Sequence, residues 1–374
     1  MMATTICLAA NGTLQSPKAG GFFWIYLNWA LGLRELGCRV LWLERIPPTF
    51  PSCDIARRVR QLKTRLRKFG LEDGLVLSLE AHANRPSDAL AGCLDFEVAR
   101  EADLLLNFCS DLPRVQHFRR SAFVDIDPGL TQIWVVSSQI ALQRHDIYFT
   151  IGETVGKPDA LFPDADLEWH YTPPPVSLPR WSVTQAPNGA PFTTVTNWWR
   201  EWVQYDGESY DNTKRAGFLP FLDLPRRTQI PLELAIVMGA KPDRALLKAE
   251  GWRVEDAWRV TGNPQSYQAY IQRSRGEFSC AKPSYVRLQT AWISDRTLCY
   301  LAAGKPAIVQ HTGPSRVLPE RSGIFRFTDI DHAVRCLEDA AADYDRQCRL
   351  ARALAEEHFD AKRVVARVLE RALA

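Results

Sequence analysis

Residues 274–313 carry the side chains whose types and spacing best suit chemistry on a phosphorylated ligand. Glu277, at a predicted turn, is a candidate catalytic residue because its carboxylate could accept hydrogen bonds from sugar hydroxyls. Lys282, five residues further on, could bind a diphosphate through its positive charge. Both residues also have an ordinary interpretation, since exposed lysines are usually solvated and Glu277 could pair with Arg275.

The start of a predicted helix supplies further candidates for binding a donor. Ser294 is well placed as the N-cap, and Asp295 and Arg296 follow in the first turn. A helix N-terminus attracts phosphate or ribose oxygens, and the arginine adds a planar fork for phosphate. A capped structural helix explains the same residues equally well. Thr312 and Gly313, after the next strand, form either a backbone nest for a sugar or phosphate or a plain turn.

Two aspartates in the first half of the chain are the main candidates for a catalytic base. Asp125 and Asp127 are two residues apart at the end of a predicted strand, so their carboxylates should share one face. Either could deprotonate an acceptor hydroxyl, although Asp127 also begins an Asp-Pro-Gly turn sequence. Asp111 and His117 are rival bases.

Loops that follow strands supply the remaining candidates for donor binding. Gly20 and Gly21 precede a predicted helix, where a bare backbone could approach a donor phosphate. Without a G-x-G-x-x-G frame, this pair is a weak signal by itself. Asn197 belongs to a cluster at 196–200 that we expect to face a cleft, with the tryptophans of the cluster forming core and wall.

These candidates require parallel α/β units that bring the ends of several strands together. Residues 5–10, a glycine loop, a helix over 22–36 and a strand over 40–43 form a predicted β-loop-α-β unit. Further strands are predicted at residues 103–108, 121–127, 147–150, 193–196 and 232–237. Polar or glycine-bearing residues follow these strands, which is typical of the carboxyl edge of a parallel sheet.

The predicted fold class is α/β, with two Rossmann-like doubly wound domains that face a central cleft. Seven prolines between residues 161 and 191 indicate a segment that crosses from one domain to the other. We therefore expect a first domain at 1–165, a linker at 166–190 and a second domain at 191–355. A C-terminal helix at 356–374 could pack back on the first domain.

Length and composition are those of an ordinary soluble protein with two domains. The chain has 374 residues, of which 46% are hydrophobic and 24% are charged, and its net charge is +3. So small a charge gives no global field for nucleic acid or an anionic membrane, and any such surface must be local. Nine cysteines without a C-x-x-C pair, no cationic leader and no transmembrane segment indicate a cytoplasmic protein with reduced thiols.

The sequence resembles the GT-B glycosyltransferases, most closely the family 4 type and related little-characterised bacterial members. Residues 274–278, Ser-Arg-Gly-Glu-Phe, match the first half of that family's donor motif. Residues 300–309, Tyr-Leu-Ala-Ala-Gly-Lys-Pro-Ala-Ile-Val, match the second half. The motif's second glutamate, which grips the ribose of the nucleotide in the family, is absent near Cys299, and Asp295 could take over its role.

The resemblance implies a glycosyltransferase that moves a sugar from a nucleoside diphosphate sugar to an acceptor hydroxyl. It implies no metal and no cofactor beyond that donor, because positive side chains and helix dipoles would replace the metal. The second domain would bind the nucleotide sugar and the first domain the acceptor. The acceptor could be a small molecule, a glycan or hydroxymethylated DNA, and the oligomeric state is open.

Two alternatives stay open beside this interpretation. A basic run at 57–68, with Val59, Leu62 and Leu66 at helical spacing, could track a DNA backbone or lie on an anionic membrane. It would suit a transferase that modifies hydroxymethylated bases in DNA, although ordinary amphipathic helices are also solvated on one side. The absent ribose glutamate suggests the other alternative, a non-catalytic nucleotide-sugar-binding protein of the same fold.

Overall fold

The computed structural model describes residues 3–46, 50–79, 92–198, 202–237 and 241–374. No helix within these ranges is long and apolar enough to cross a membrane. All nine cysteines lie within them as free thiols, and five are buried.

Within the described ranges, seven parallel strands form the sheet of the first lobe. They are β1 (Thr5–Ala10), β2 (Arg39–Ile46), β3 (Leu75–Leu79), β4 (Leu104–Asn107), β5 (Ser121–Asp125), β6 (Ile147–Thr150) and β7 (Trp169–Tyr171). Their order is β3-β2-β1-β4-β5-β6-β7, so the direction of winding reverses between β1 and β4. Such a reversal opens a crevice at the carboxyl ends of the two strands. Strand β7 comes from the segment predicted as a linker.

The second lobe repeats this design with six parallel strands in the described residues. They are β8 (Phe192–Asn197), β11 (Leu232–Val237), β12 (Arg253–Asp256), β13 (Gly276–Ser279), β14 (Ala307–Gln310) and β15 (Ile324–Phe327). A separate antiparallel hairpin consists of β9 (Trp202–Tyr205) and β10 (Glu208–Asp211). The sheet order is β12-β11-β8-β13-β14-β15, which places the reversal between β8 and β13. The predicted pair of doubly wound α/β sheets is therefore present.

Helices connect the strands of both sheets. In the first lobe they are α1 (Gly20–Glu35), α2 (Ser52–Arg67), α3 (Phe96–Arg100) and α4 (Leu130–Val136). In the second lobe they are α5 (Lys214–Phe218), α6 (Leu224–Arg227), α7 (Lys241–Ala249), α8 (Ala257–Thr261), α9 (Pro264–Arg273), α10 (Pro283–Leu288), α11 (Asp295–Ala302), α12 (Ile330–Ala342) and α13 (Tyr344–Leu354). The last helix, α14 (Ala361–Ala372), packs against α1.

Helix α1 joins the two lobes because its start approaches the backbone of the second lobe very closely. A Cβ atom on Gly20 would lie 2.4 Å from the carbonyl oxygens of both Thr261 and Asn263. One turn later, the Trp24 indole Nε1 donates a hydrogen bond of 2.9 Å to the Pro264 carbonyl. Only glycine permits this approach, since any side chain at position 20 would push the lobes apart.

The chain crosses between the lobes twice, and the two crossings pair with each other. The Val176 amide donates to the Phe359 carbonyl over 2.8 Å, and the Ala361 amide donates to the Val176 carbonyl over 3.0 Å. Helix α14 begins at this point and lies against α1, where a Cβ on Gly32 would be 2.7 Å from the Ala361 carbonyl oxygen. The C-terminal helix is thereby fixed to the first lobe.

Candidate functional site

A pocket of about 270 Å³ lies between the start of α1 and the carboxyl end of β8, at the switch point of the second sheet. We call it the interlobe pocket. Seven of the nine residues predicted to bind a donor line it: Gly20, Gly21, Asn197, Lys282, Ser294, Asp295 and Arg296. The structure thus brings together residues that are far apart in the sequence, and it does so where doubly wound sheets usually bind ligands.

Three positive side chains converge on the interlobe pocket. Lys282 and Arg296 were predicted there, and Lys214 at the start of α5 is an addition. The Lys214 Nζ donates to the Cys280 carbonyl over 2.7 Å and lies 5.4 Å from the centre of the Trp292 ring. Burial, together with the neighbouring charges of Arg296 and Lys282, lowers the pKa of Lys214 to about 7. The pocket therefore contains two lysines besides Arg296, whose charge is paired with Glu277, and their charge suits an anionic ligand.

Arg296 is held in place by three acceptors. Its Nε donates to Glu277 Oε1 over 2.7 Å, its Nη1 to the Val195 carbonyl over 3.0 Å, and its Nη2 to Ser279 Oγ over 2.6 Å. The Arg296 side chain is 11% exposed and that of Glu277 is fully buried. The guanidinium consequently has a fixed orientation at the pocket wall.

Glu277 has a different place from the predicted one. The prediction of a turn at this position is wrong, because Glu277 lies within β13, between the neighbouring strands β8 and β14. With no exposed surface, its carboxylate is turned toward Arg296 rather than toward a ligand. The geometry gives Glu277 the role of positioning the arginine.

The N-terminus of α11, which carries Arg296, forms part of the wall of the interlobe pocket. Ser294 caps the helix as predicted, its Oγ accepting a hydrogen bond of 3.3 Å from the Arg296 amide. Burial, with a smaller contribution from the charge of Asp127, raises the pKa of Asp295 to about 6. Asp127 belongs to the first lobe and is close enough for its charge to act on Asp295, but it does not itself line the interlobe pocket.

Asp127 also bonds directly to the second lobe. Its Oδ1 accepts a hydrogen bond of 2.6 Å from the Tyr285 hydroxyl on α10. The Tyr285 ring is stacked on Trp292 with a centroid separation of 4.3 Å, and this indole is the one over which Lys214 lies. An aromatic platform thus links Asp127 to the positive charges of the pocket.

Asp125 is not available as a base. Its carboxylate is 1% exposed and accepts hydrogen bonds from Thr131 Oγ1, Gln132 Nε2, Thr150 Oγ1 and the Asp127 amide at 2.6–3.0 Å. The predicted shared face does not form, because β5 ends at Asp125 and Asp127 already lies in the following turn. Asp125 instead fastens that turn and the start of α4 to the sheet.

The rival bases lie outside the interlobe pocket as well. Asp111 is paired with Arg45 and accepts from Cys109 Sγ over 2.9 Å. His117 is exposed and packs edge-on against Phe96. Neither residue lines the pocket.

Gly20 and Gly21 contribute to the pocket through contacts with the second lobe, whereas the prediction was that their backbone approaches a donor phosphate. Gly20 has no room for a side chain because of the second-lobe backbone, and a Cβ on Gly21 would lie 2.6 Å from the Tyr267 ring. Both glycines allow close contact between the lobes, and the pocket wall is a result of that contact. Asn197 is exposed at the end of β8, whereas Trp199 and Arg200 of its predicted cluster lie outside the described residues.

Thr312 and Gly313 do not form an open nest on the interlobe pocket. Thr312 Oγ1 donates to the Trp292 carbonyl over 2.6 Å, and a Cβ on Gly313 would lie 2.4 Å from the Gln289 carbonyl oxygen. Gly313 has a φ of +128° and its own carbonyl accepts from Arg326. These residues order the loop that carries Trp292, so their predicted contact with a donor has no geometric support.

Sequence reasoning missed Lys214 and Tyr267, although both line the interlobe pocket. Thr213, just before Lys214, is of a residue type that often caps helices, and its side chain accepts a hydrogen bond from the Ala216 amide. This pattern indicates the start of a helix, but it does not indicate that the lysine lines a binding site. Among the described residues, no group of three or more His, Cys, Asp or Glu side chains could hold a metal ion.

Several solved structures are similar to this chain over its whole length. An alpha-glucosyltransferase in complex with UDP and a 13-mer DNA gives a TM-score of 0.65 at 12% identity, with 100% of both chains covered. Anabaena HepE in complex with UDP and glucose gives a TM-score of 0.55 at 11% identity, covering 98% of this chain and 99% of HepE. Sucrose-phosphate synthase from Thermosynechococcus elongatus gives 0.53 at 10% identity, with 98% of both chains covered.

The chain has the GT-B fold. Full coverage by these glycosyltransferase structures, together with the two doubly wound sheets, confirms the fold predicted from the sequence. No protein-family model matches the sequence, and no curated protein matches it.

The buried ion pair leads to a prediction about stability. We expect Glu277→Gln to lower the free energy of unfolding by about 3–5 kcal/mol, because Arg296 cannot lose its proton and would remain buried without a counter-charge. Urea denaturation followed by circular dichroism measures this loss. The double variant Glu277→Gln with Arg296→Met should recover most of it, since no unpaired charge remains. Equal stability of Glu277→Gln and the wild type would contradict the assigned role.

Proposed function

We propose that this protein is a glycosyltransferase that moves a sugar from a nucleoside diphosphate sugar to an acceptor hydroxyl. The observation that carries the proposal is the convergence of Lys214, Lys282 and Arg296 on the interlobe pocket. This pocket lies at the switch point of the second sheet. A diphosphate matches this charge, and the match improves as the sugar leaves and the diphosphate gains negative charge. Similar structures contain UDP, which supports UDP as the nucleotide carrier.

The donor is held by the second lobe in this proposal. Asn197 and Asp295 at the pocket rim offer hydrogen-bonding groups for ribose hydroxyls, and the N-terminus of α11 faces the same space. Residues 274–278 and 300–309 support an assignment to the family 4 type of GT-B enzymes. Because three side chains already supply positive charge, the reaction needs no metal and no cofactor besides the donor.

The transfer step in this proposal uses Asp295 in the pocket and Asp127 of the first lobe, whose charge acts on Asp295. The acceptor oxygen forms a bond to the anomeric carbon, and the bond from that carbon to the diphosphate oxygen breaks with its electron pair going to the diphosphate. The proton of the acceptor hydroxyl passes to the carboxylate of Asp127, which acts as general base beside Asp295. Contact between the lobes at Gly20 and Gly21 limits the access of water to the donor.

A donor screen tests this proposal directly. We expect one of the UDP-, GDP-, ADP- and dTDP-sugars to raise the melting temperature and to be hydrolysed slowly with water as acceptor. Lys214→Met should abolish the shift, because it removes a charge from the diphosphate site. Asp127→Asn should keep the shift but lower hydrolysis by roughly 100-fold or more, as loss of a general base does.

The outcomes of this screen are distinct. Binding of a donor without hydrolysis, in the wild type as in Asp127→Asn, would make the protein a nucleotide-sugar-binding protein of the same fold. No shift with any donor would refute the proposal.

The pKa of Lys214 leads to a pH prediction for donor binding. Between pH 7 and 9 the free side chain loses its proton, so affinity for the donor should fall by up to roughly tenfold for each pH unit. Lys214→Arg should flatten this profile because arginine stays charged. Lys282→Met is the matched control, and it should weaken binding while keeping the pH dependence. Isothermal titration calorimetry at several pH values measures the donor affinity of the wild type and of both variants. A wild-type affinity that does not change with pH would contradict the prediction.

Hydroxymethylated DNA is the second candidate acceptor. One of the similar structures is an alpha-glucosyltransferase in complex with DNA. Helix α2 is amphipathic as predicted, with Val59, Leu62 and Leu66 buried. Exposed positive charges on its other face and just after it are Arg57, Arg60, Arg67 and Lys68. A basic helix of this kind could follow a phosphate backbone.

Salt dependence tests the DNA candidate. If α2 contacts duplex DNA, the logarithm of the affinity should fall linearly with the logarithm of salt concentration, at about 0.9 per phosphate contact. Arg60→Gln with Arg67→Gln should reduce this slope by about 1.8 if each arginine neutralises one phosphate. Fluorescence anisotropy with a labelled duplex measures the slope. Weak binding that is insensitive to salt would remove DNA as an acceptor.

A further inference from the structure

A second and larger cleft, of about 590 Å³, lies beside the crossing between the lobes. We call it the α14 cleft. It is lined by β6 and the edge strand β7 of the first sheet, by α14, and by Val317 of the second lobe. None of its residues lines the interlobe pocket. Its volume is within the range of sites that hold a small organic molecule.

Two arginines of α14 give the cleft its charge. Arg367 and Arg371 are four residues apart, so they lie on one face of the helix, and both line the cleft. Arg367 forms no hydrogen bond or ion pair with any residue that the structure describes, while its charge acts on the Tyr171 hydroxyl. Glu370 is the one acidic residue in the lining, so the cleft has an excess of positive charge.

His170 adds an oriented donor to this charge. The Arg371 Nη1 lies 2.6 Å from His170 Nδ1, and because an arginine can only donate, Nδ1 is the acceptor and the proton is on Nε2. The Nε2 atom is 3.6 Å from Glu168, which is beyond hydrogen-bond distance. Because the Glu168 side chain is exposed and makes no hydrogen bond with this N–H group, a ligand oxygen can take its place beside Nε2. The contact with His170 holds Arg371 in position. His358 supplies a second imidazole to the lining.

Apolar groups complete the cleft. Phe149 and Val368 are buried, and Val317 and Pro173 lie beside them in the lining. A ligand that fits must therefore present an anionic group to the arginines and a less polar body to this floor. A free inorganic ion would satisfy only the first requirement.

We propose that the α14 cleft binds a small organic phosphate monoester, with the phosphate between Arg367, Arg371 and the His170 Nε2–H. Arginine forks and an imidazole N–H are donors that suit a phosphate dianion. The ligand would touch both lobes and the helix that follows the second crossing. This site is independent of the interlobe pocket and of the proposed transfer reaction.

Phenyl phosphate is a suitable probe because it combines a phosphate with an apolar ring. Isothermal titration calorimetry on the full chain should show saturable binding that Arg367→Gln and Arg371→Gln each weaken by roughly tenfold or more. Lys362→Gln is the control, since it removes an equal charge from an exposed position of α14 that does not line the cleft. It should change the affinity by less than about twofold, within the range of a remote surface charge. The imidazole NMR signals of His170, assigned with His170→Asn, should shift on addition of the probe.

Several results would overturn this assignment. Affinity that neither arginine variant changes would show that α14 does not bind the phosphate. Loss of binding in Lys214→Met, with no effect of the arginine variants, would place the probe in the interlobe pocket. Equal affinity for phenol and phenyl phosphate would reveal an apolar cleft without phosphate recognition, and His170 signals that stay fixed would exclude the proposed contact.

Discussion

The buried ion pair between Glu277 and Arg296 is the interaction on which the interlobe pocket depends. A guanidinium cannot be deprotonated in a protein, so its burial is tolerable only beside an anion and with its N–H groups hydrogen-bonded. Glu277 provides that anion from β13, and the Val195 carbonyl provides an acceptor from β8. Because Arg296 itself belongs to α11, the pair fixes a helix N-terminus against the two strands of the switch point. The orientation of the Arg296 guanidinium and the position of the α11 N-terminus at the pocket are thus set by one contact.

Lys214 is stabilised in a different way from Arg296. It is equally enclosed, but its direct partner is the neutral Cys280 carbonyl, and the nearby charges of Arg296 and Lys282 oppose its protonation. The charge of Lys214 is therefore conditional, whereas that of Arg296 is permanent. An anionic ligand would supply the partner that Lys214 lacks, so ligand binding and protonation of this side chain favour each other. The fold leaves part of the charge compensation in this pocket to the ligand.

Sequence patterns predicted those parts of the site that depend on local structure. The cap at Ser294 and the helix after it follow from residue types within one turn, and both are present. Glu277 was misplaced because Gly-Glu-Phe-Ser has neither the length nor the alternation that distinguishes a short buried strand from a turn. Asp125 and Asp127 were grouped by the two-residue period of a strand, which ceases to apply where β5 ends. Lys214 was missed because its importance comes from tertiary contacts.

The packing of α1 limits how the two lobes can move. Its start touches the second-lobe backbone at Gly20, and its middle touches α14 at Gly32, with no space for even a methyl group at either contact. The contact at Gly32 makes α1 and α14 move together, so a change in the angle between the lobes has to alter the contacts that these two helices make with other elements. Two such contacts are that of Gly20 with Thr261 and the paired crossings at Val176, and the hydrogen bond from Tyr285 to Asp127 would change as well. The interlobe pocket lies at the first and the α14 cleft beside the second, so any hinge motion of the lobes would change the shape of both.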